Sequence, residues 1–171
     1  MASSTIKILI IVAIIGVLGF FARNANIADA AFQPPSGKIT GFTAINVDGG
    51  KTTYEAQKGK VTLIVLSASW CPACMAEIPM LKNLYQEFKG SDFRILMVNE
   101  DENLKVATRF KKKYEIPWTM VHWNYNLMNQ LGNPRVIPVS YLVDQQDSII
   151  QIHTGIFDEK ELTKSIRKIL K

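Results

Sequence analysis

Two stretches of the chain are apolar almost without interruption, Val61 to Leu66 and Phe93 to Asn99. Runs of this length, rich in β-branched residues, predict strands buried on both faces. Elsewhere apolar residues recur at helical spacing. Ile78, Leu81, Leu84, Tyr85 and Phe88 predict a helix over Pro72 to Phe88, with Pro79 inside it as a kink point. Leu104, Ala107, Phe110 and Tyr114 form the inner face of a second helix, capped by Asp101 or Asn103. Leu162, Ile166, Ile169 and Leu170 form the stripe of a last one, capped by Asp158 and carrying lysines on its other face. Phe42 to Val47 and Lys51 to Tyr54 flank the turn Asp48-Gly49-Gly50 and predict a hairpin. Gly59-Lys60 marks another turn. Val136 to Val143, which carries Pro138, and Ser148 to His153, ended by Gly155, predict two more strands. Pro117 to His122 has no clear type, and Tyr125 to Leu131 reads as a helical turn ended by Gly132. Strands that alternate with helices, followed by a closing hairpin and a helix, predict an α/β sandwich.

The N-terminus follows a different pattern. Ile8 to Phe21 is an uncharged run of fourteen residues between Lys7 and Arg23. As a helix it spans about 21 Å, short of the ~30 Å hydrocarbon core of a bilayer. Ala2 to Ile6 and Ala22 lengthen it enough when Lys7 snorkels. Residues 1–23 therefore read as a transmembrane anchor. The alternative is a signal peptide cleaved at Ala28-Asp29-Ala30, nine residues past Phe21 and beyond the awkward charge of Arg23. Either one places the following domain outside the cytoplasm. Residues 24–38, with Pro34-Pro35-Ser36-Gly37, read as a linker, and the globular domain is expected over 39–171.

Composition adds little. The 171 residues are 47% apolar, enough for one domain with a core, and the formal net charge is +5. That mild excess gives no basic stripe for a nucleic acid. Lys111-Lys112-Lys113, set between Phe110 and Tyr114, reads as a solvated helix face.

The cysteines change the picture. The chain holds two, Cys71 and Cys74, within Trp70-Cys71-Pro72-Ala73-Cys74, where the apolar run ends and the long helix begins. Free N–H groups and the partial positive charge of a helix N-terminus favour the thiolate of Cys71 and lower its pKa. A purely structural bridge over about four residues would contribute roughly 2 kcal/mol and join no distant elements. The pair therefore reads as redox-active.

The surrounding residues carry a resemblance. Trp-Cys-Pro-Ala-Cys extends to Glu77 and Pro79. Upstream stand Asp48-Gly49 and Gly59-Lys60-Val61. Downstream stand Ile137-Pro138 through Asp144 and then Gly155. Together with the N-terminal apolar segment, this resembles the TlpA/ResA/DsbE group of extracytoplasmic thiol–disulfide oxidoreductases, over about Ile39 to Lys171. The resemblance implies a thioredoxin-like fold, a central mixed sheet flanked by helices, with an N-terminal β-hairpin extension. It implies Cys71 as the exposed attacking thiol and Cys74 as the resolving one, with no cofactor beyond their disulfide. It implies Pro138 as a cis-proline that turns the Ile137 backbone toward the disulfide, so that Trp70, Pro72, Ile137 and Pro138 line the place where a protein substrate docks. By residue type Glu77 fits equally a proton acceptor for Cys74 and a helix-dipole partner, and the resemblance favours the first.

The implied partners are protein thiols or disulfides, including apocytochrome c cysteines, and a membrane electron donor such as a transmembrane thiol–disulfide transporter. The protein would face the periplasm from the inner membrane. The direction of electron flow is tilted toward reduction by the resemblance alone, and the alternative is a generalist disulfide reductase or oxidant. Two departures stand out. Val65 occupies the position where thioredoxin has a buried aspartate, which leaves Glu77 as the nearby acid. The turn Gln145-Gln146-Asp147-Ser148 lacks the usual glycine.

Rival chemistries fit less well. His122 and His153 show no paired spacing for zinc. Copper-delivery relatives have one more residue between the cysteines. Met75 stands where covalent haem attachment needs histidine, and the peroxidatic Pro-x-x-x-Thr-x-x-Cys pattern is missing. Trp118, Trp123 and the methionines at 75, 80, 97, 120 and 128 read as core filler, and Trp70 as a wall beside Cys71.

Overall fold

A computed structural model describes residues 37–171. The segment expected to be an anchor or signal peptide, residues 1–23, lies outside the described residues, as does the linker apart from Gly37 and Lys38. Among the described residues no helix is long and apolar enough to cross a membrane.

Strand β3 (Val61–Ser67) lies next to the middle of a seven-stranded sheet and is buried at every position. It pairs in parallel with β4 (Phe93–Asn99), from Val61↔Phe93 to Ser67↔Asn99, and antiparallel with β6 (Val139–Val143). β4 continues in parallel to β5 (Thr119–His122), and β6 antiparallel to β7 (Ile149–Thr154). The hairpin of β1 (Thr43–Asn46) and β2 (Lys51–Thr53) joins the same sheet through β5, giving the order β2-β1-β5-β4-β3-β6-β7. The expected hairpin extension is thus part of the main sheet. The helices, in chain order, are α1 (Tyr54–Gln57), α2 (Pro72–Glu87), α3 (Leu104–Lys113), α4 (Tyr125–Gln130) and α5 (Glu159–Leu170).

Val61, Leu63 and Val65 pack in one cluster with Ile78, Leu81 and Leu84 of α2 and Leu162 and Ile166 of α5. That packing holds the long helix against the sheet, with its first turn at the C-terminal ends of β3 and β4. At about 25 cal/mol per Å² of apolar area, each fully buried aliphatic side chain contributes about 1.5–3 kcal/mol.

Local chemistry explains most differences from the expected elements. Tyr54 does not extend β2. Thr53 caps a helix there, its hydroxyl accepting from the N–H of Ala56 at 3.3 Å, and the Tyr54 ring is buried. The first strand is trimmed to Thr43–Asn46. Asn103 alone caps α3, through a 2.8 Å bond from Lys105 N–H, because Asp101 is engaged elsewhere. Leu104, at the start of α3, is exposed rather than on its inner face. Pro117 to His122 resolves into β5, and the strand expected from Val136 begins only at Val139, after Pro138.

Two turns use their residues for stated reasons. At Gly59 a side chain would place Cβ 2.6 Å from the carbonyl oxygen of Asp92, which accepts from Val61 N–H. Asp147 takes the left-handed position, φ 64°, where glycine is usual. Its carboxylate accepts from the Tyr54 hydroxyl at 3.0 Å and from Lys58 Nζ at 3.0 Å, bonds a glycine would forgo. Lys58 is held above its usual pKa by Glu55 and Asp147.

Candidate active site

Cys71 is the N-cap of α2, with Pro72 in the first helical position, where a missing N–H costs nothing. The cap geometry turns the Cys71 sulfur onto the helix end, where it accepts from the N–H of Cys74 at 3.1 Å. A disulfide joins Cys71 to Cys74. The two sulfurs sit in a small apolar cluster with Ala68, Ala73 and Ile137. Cys71 is only 4% exposed and Cys74 2%. The expectation of an exposed Cys71 is corrected: its capping position and the packing of Ile137 cover it in the disulfide form.

The Ile137–Pro138 peptide is cis, and the Ile137 carbonyl oxygen lies 3.7 Å from Cys71 Sγ. Pro138 is buried, and its own carbonyl accepts from Gly155 N–H at 2.8 Å. Trp70 is 63% exposed beside the disulfide, and Pro72 is exposed next to it. Val136 and Ile156, neighbours in sequence of Ile137 and Gly155, are exposed as well. The surface around the disulfide is therefore apolar and open. Trp118, by contrast, is buried in the core.

Glu77 follows Cys74 by three residues on α2, and both are buried. Residues at this spacing are neighbours on one helix face, with Cβ atoms about 5–6 Å apart. Glu77 is 1% exposed, and its Oε1 accepts from the backbone N–H of Phe157 at 3.2 Å. Burial pushes its carboxyl up to about 7, and the Phe157 bond offsets part of that rise. A buried acid beyond the first turn is not placed as a helix-dipole partner.

Two further acids stand at the C-terminal end of β4, where sites gather in α/β sheets. Asp101, 3% exposed, accepts from the Ser69 backbone N–H at 3.2 Å, the Ser69 hydroxyl at 2.8 Å and Asn99 Nδ2 at 2.8 Å. It thereby ties down the segment that leads into Cys71. His122 Nε2 lies 2.7 Å from the Asp101 carbonyl oxygen, so it donates there. Glu100 donates its own N–H to the Ser67 carbonyl at 2.9 Å. Its Oε1 is buried without a hydrogen-bond partner, and burial pushes the carboxyl up to about 7. The Tyr141 phenol is raised by burial and then by Glu100. Sequence reasoning missed both acids in this setting. The signal was their place directly after a strand that is largely apolar and buried. Among the described residues no three His, Cys, Asp or Glu side chains converge as a metal centre requires.

A dithiol–disulfide pair capping a helix, faced by a cis-proline loop and backed by a buried acid, defines a thioredoxin-fold site for thiol–disulfide exchange. The comparisons agree. The chain belongs to the Redoxin family, which matches residues 30–170. It is similar to the thiol–disulfide oxidoreductase ResA of Halalkalibacterium halodurans, 26% identical over 88% of this chain and 86% of the relative. It is also similar to ResA of Bacillus cereus, 21% identical over 95% of this chain and 94% of the relative. Among solved structures, a thiol:disulfide interchange protein of the thioredoxin family from Chlorobium tepidum superposes with a TM-score of 0.71 at 20% identity, covering 82% of this chain and all of the other. StoA from Bacillus subtilis gives 0.61 at 21% identity, over 73% of this chain and 95% of the other. With the Cys71–Cys74 disulfide in place, the chain is an oxidoreductase of the thiol–disulfide class, of the TlpA/ResA/DsbE kind.

Proposed function

We propose that the protein is an extracytoplasmic reductant of protein disulfides, held at the membrane by its N-terminal segment and recharged there by a membrane thiol donor. The observation that carries the direction is the composition of the sulfur cluster. Cys71 and Cys74 are 4% and 2% exposed, and the apolar side chains of Ala68, Ala73 and Ile137 pack against them. A strong oxidant keeps its reduced form stable by stabilising the thiolate. Here the thiolate of Cys71 has one N–H donor and a helix dipole to stabilise it, and burial opposes its charge. The dithiol form is held loosely and gives up its electrons readily.

The exchange runs in two steps. The Cys71 thiolate attacks one sulfur of the partner's disulfide, forms a Cys71–partner bond and releases the partner's other sulfur as a thiolate. Cys74 then loses its proton to Glu77 and attacks the Cys71 sulfur. The Cys71–Cys74 bond forms and the second partner thiolate leaves. Two electrons pass to the partner, and both of its thiolates end protonated. Trp70, Pro72 and Ile137 form the surface on which the partner docks, with the buried Pro138 next to Ile137 in the chain. The cysteine pairs of c-type apocytochromes, which must be reduced before haem is attached, are a substrate class that the family resemblance supports. The apolar run Ile8 to Phe21 supports the placement outside the cytoplasm.

Reduction of insulin by the full-length chain in non-ionic detergent, with dithiothreitol as the electron source, tests the activity. Cys71→Ser is expected to abolish it, and Cys74→Ser to accumulate a mixed disulfide. Absence of thiol-dependent turnover, together with stoichiometric copper binding, would overturn the proposal.

A further inference from the structure

An open groove of about 760 Å³ runs beside the active site, between the first turns of α2 and the C-terminal half of α3. Ser69, two residues before Cys71, stands at its edge. Met75, whose N–H donates to the Cys71 carbonyl at 3.2 Å, lies within it. Phe110, Tyr114 and Met75 supply an apolar floor, and the Tyr114 hydroxyl is 2.7 Å from the Met75 sulfur. Arg109, Lys112 and Lys113 line the same groove, and all three are exposed.

Their spacing is the informative part. Positions i, i+3 and i+4 share one helix face, so three cations project along one side of α3. Lys111 is turned away and pairs with Asp48. Among the described residues Arg109, Lys112 and Lys113 have no carboxylate partner. Lys113 Nζ lies 5.3 Å from the Tyr114 ring centre, at the boundary of floor and rim. Basic residues in a last helical turn are ordinarily explained by the helix dipole. That does not account for their alignment over an apolar floor that begins one helical turn from a reactive sulfur.

We propose that this groove takes the segment flanking the reactive cysteine of the partner protein, and that the segment carries an apolar side chain and one or more carboxylates. Met75 is about 6 Å along the helix from Cys71. An extended chain advances about 3.3 Å per residue, so the groove begins about two residues from the partner's cysteine. The apolar side chain fills the floor, and the carboxylates meet the three cations at its rim. Charge complementarity of this kind selects partners and speeds their encounter. The assignment rests on the disulfide-reductase reading.

The test uses the disulfide-linked dimers of three short peptides. Each contains one cysteine and one phenylalanine, flanked by glutamates, by lysines or by neither. The reduced full-length chain in non-ionic detergent passes two electrons to each dimer, and the second-order rate constant is measured. The glutamate peptide is expected to react at least tenfold faster than the lysine peptide at low salt, with the ratio falling toward one as salt rises. Arg109→Glu, Lys112→Glu and Lys113→Glu combined are expected to invert the order. Equal rates on all three peptides overturn the groove assignment and leave the reductase reading intact. If the rates are equal while the triple variant loses binding to phosphatidylglycerol vesicles, the basic face belongs to a lipid surface and the assignment is equally overturned. No reduction of any peptide overturns both readings.

Discussion

The carboxylate of Glu77 accepts a hydrogen bond from the backbone N–H of Phe157 at 3.2 Å, joining the helix that carries the disulfide to the loop before α5. The bond keeps the acid in one orientation on the face it shares with Cys74. A carboxyl titrating near 7 can take the Cys74 proton and release it again under ordinary conditions. In Glu77→Gln the amide oxygen still accepts from Phe157 but takes no proton. The resolving step, followed by stopped flow after mixed-disulfide formation, is expected to slow about 100-fold, the lower end of general-base effects. Its pH dependence near 7 should vanish. An unchanged pH profile would remove Glu77 from the proton path.

The same carboxyl links stability to pH. Its folded pKa, about 7, lies above the ordinary 4.5, so the folded protein holds a proton that the unfolded chain has lost between those values. Stability from this group is therefore complete below about 4.5, falls as pH rises to about 7, and is flat above it. Glu100 acts in the same direction. Urea unfolding of the oxidised protein from pH 4.5 to 8 is expected to show this decline. Glu77→Gln should remove a large part of it, at most about 3 kcal/mol at 1.36 kcal/mol per pKa unit.

Asp101 holds Ser69 through both its backbone and its hydroxyl, and so fixes the approach to Cys71. Asp101→Asn puts an NH₂ group where an acceptor met donors from Ser69 and Asn99. A buried donor left unpaired costs about 1–3 kcal/mol, so the urea midpoint should fall accordingly. Asp101→Ala should cost at least as much, and Ser69→Ala, which keeps the backbone bond, should cost less. A neutral Asp101→Asn would show that the clamp does not restrain this segment.

How far the sequence foretold this structure depends on whether a residue's role is local. Val61 to Leu66 and Phe93 to Asn99 are largely apolar because both faces of the sheet are covered along most of their length, and that pattern is visible in the chain. The placement of Cys71 at a helix start is equally local. β5 was illegible because its four residues are held by neighbours far off in sequence, with Val98 opposite Val121 and Ile45 opposite His122. Asp101 satisfied the local rule for a helix cap, yet its carboxylate reaches back 32 residues to Ser69. Nothing in the sequence beyond its place after that strand singles out Glu100, whose carboxyl oxygen is buried only by packing in the folded chain. The burial of Cys71 depends on Ile137, 66 residues away.

The reductant reading is tested most directly by the potential of the Cys71–Cys74 couple in the full-length chain, titrated in dithiothreitol or glutathione buffers with thiol alkylation as the readout. Sulfurs buried among apolar side chains predict a value near or below that of thioredoxin, about −270 mV. A value near −120 mV, that of a strong oxidant, would contradict it.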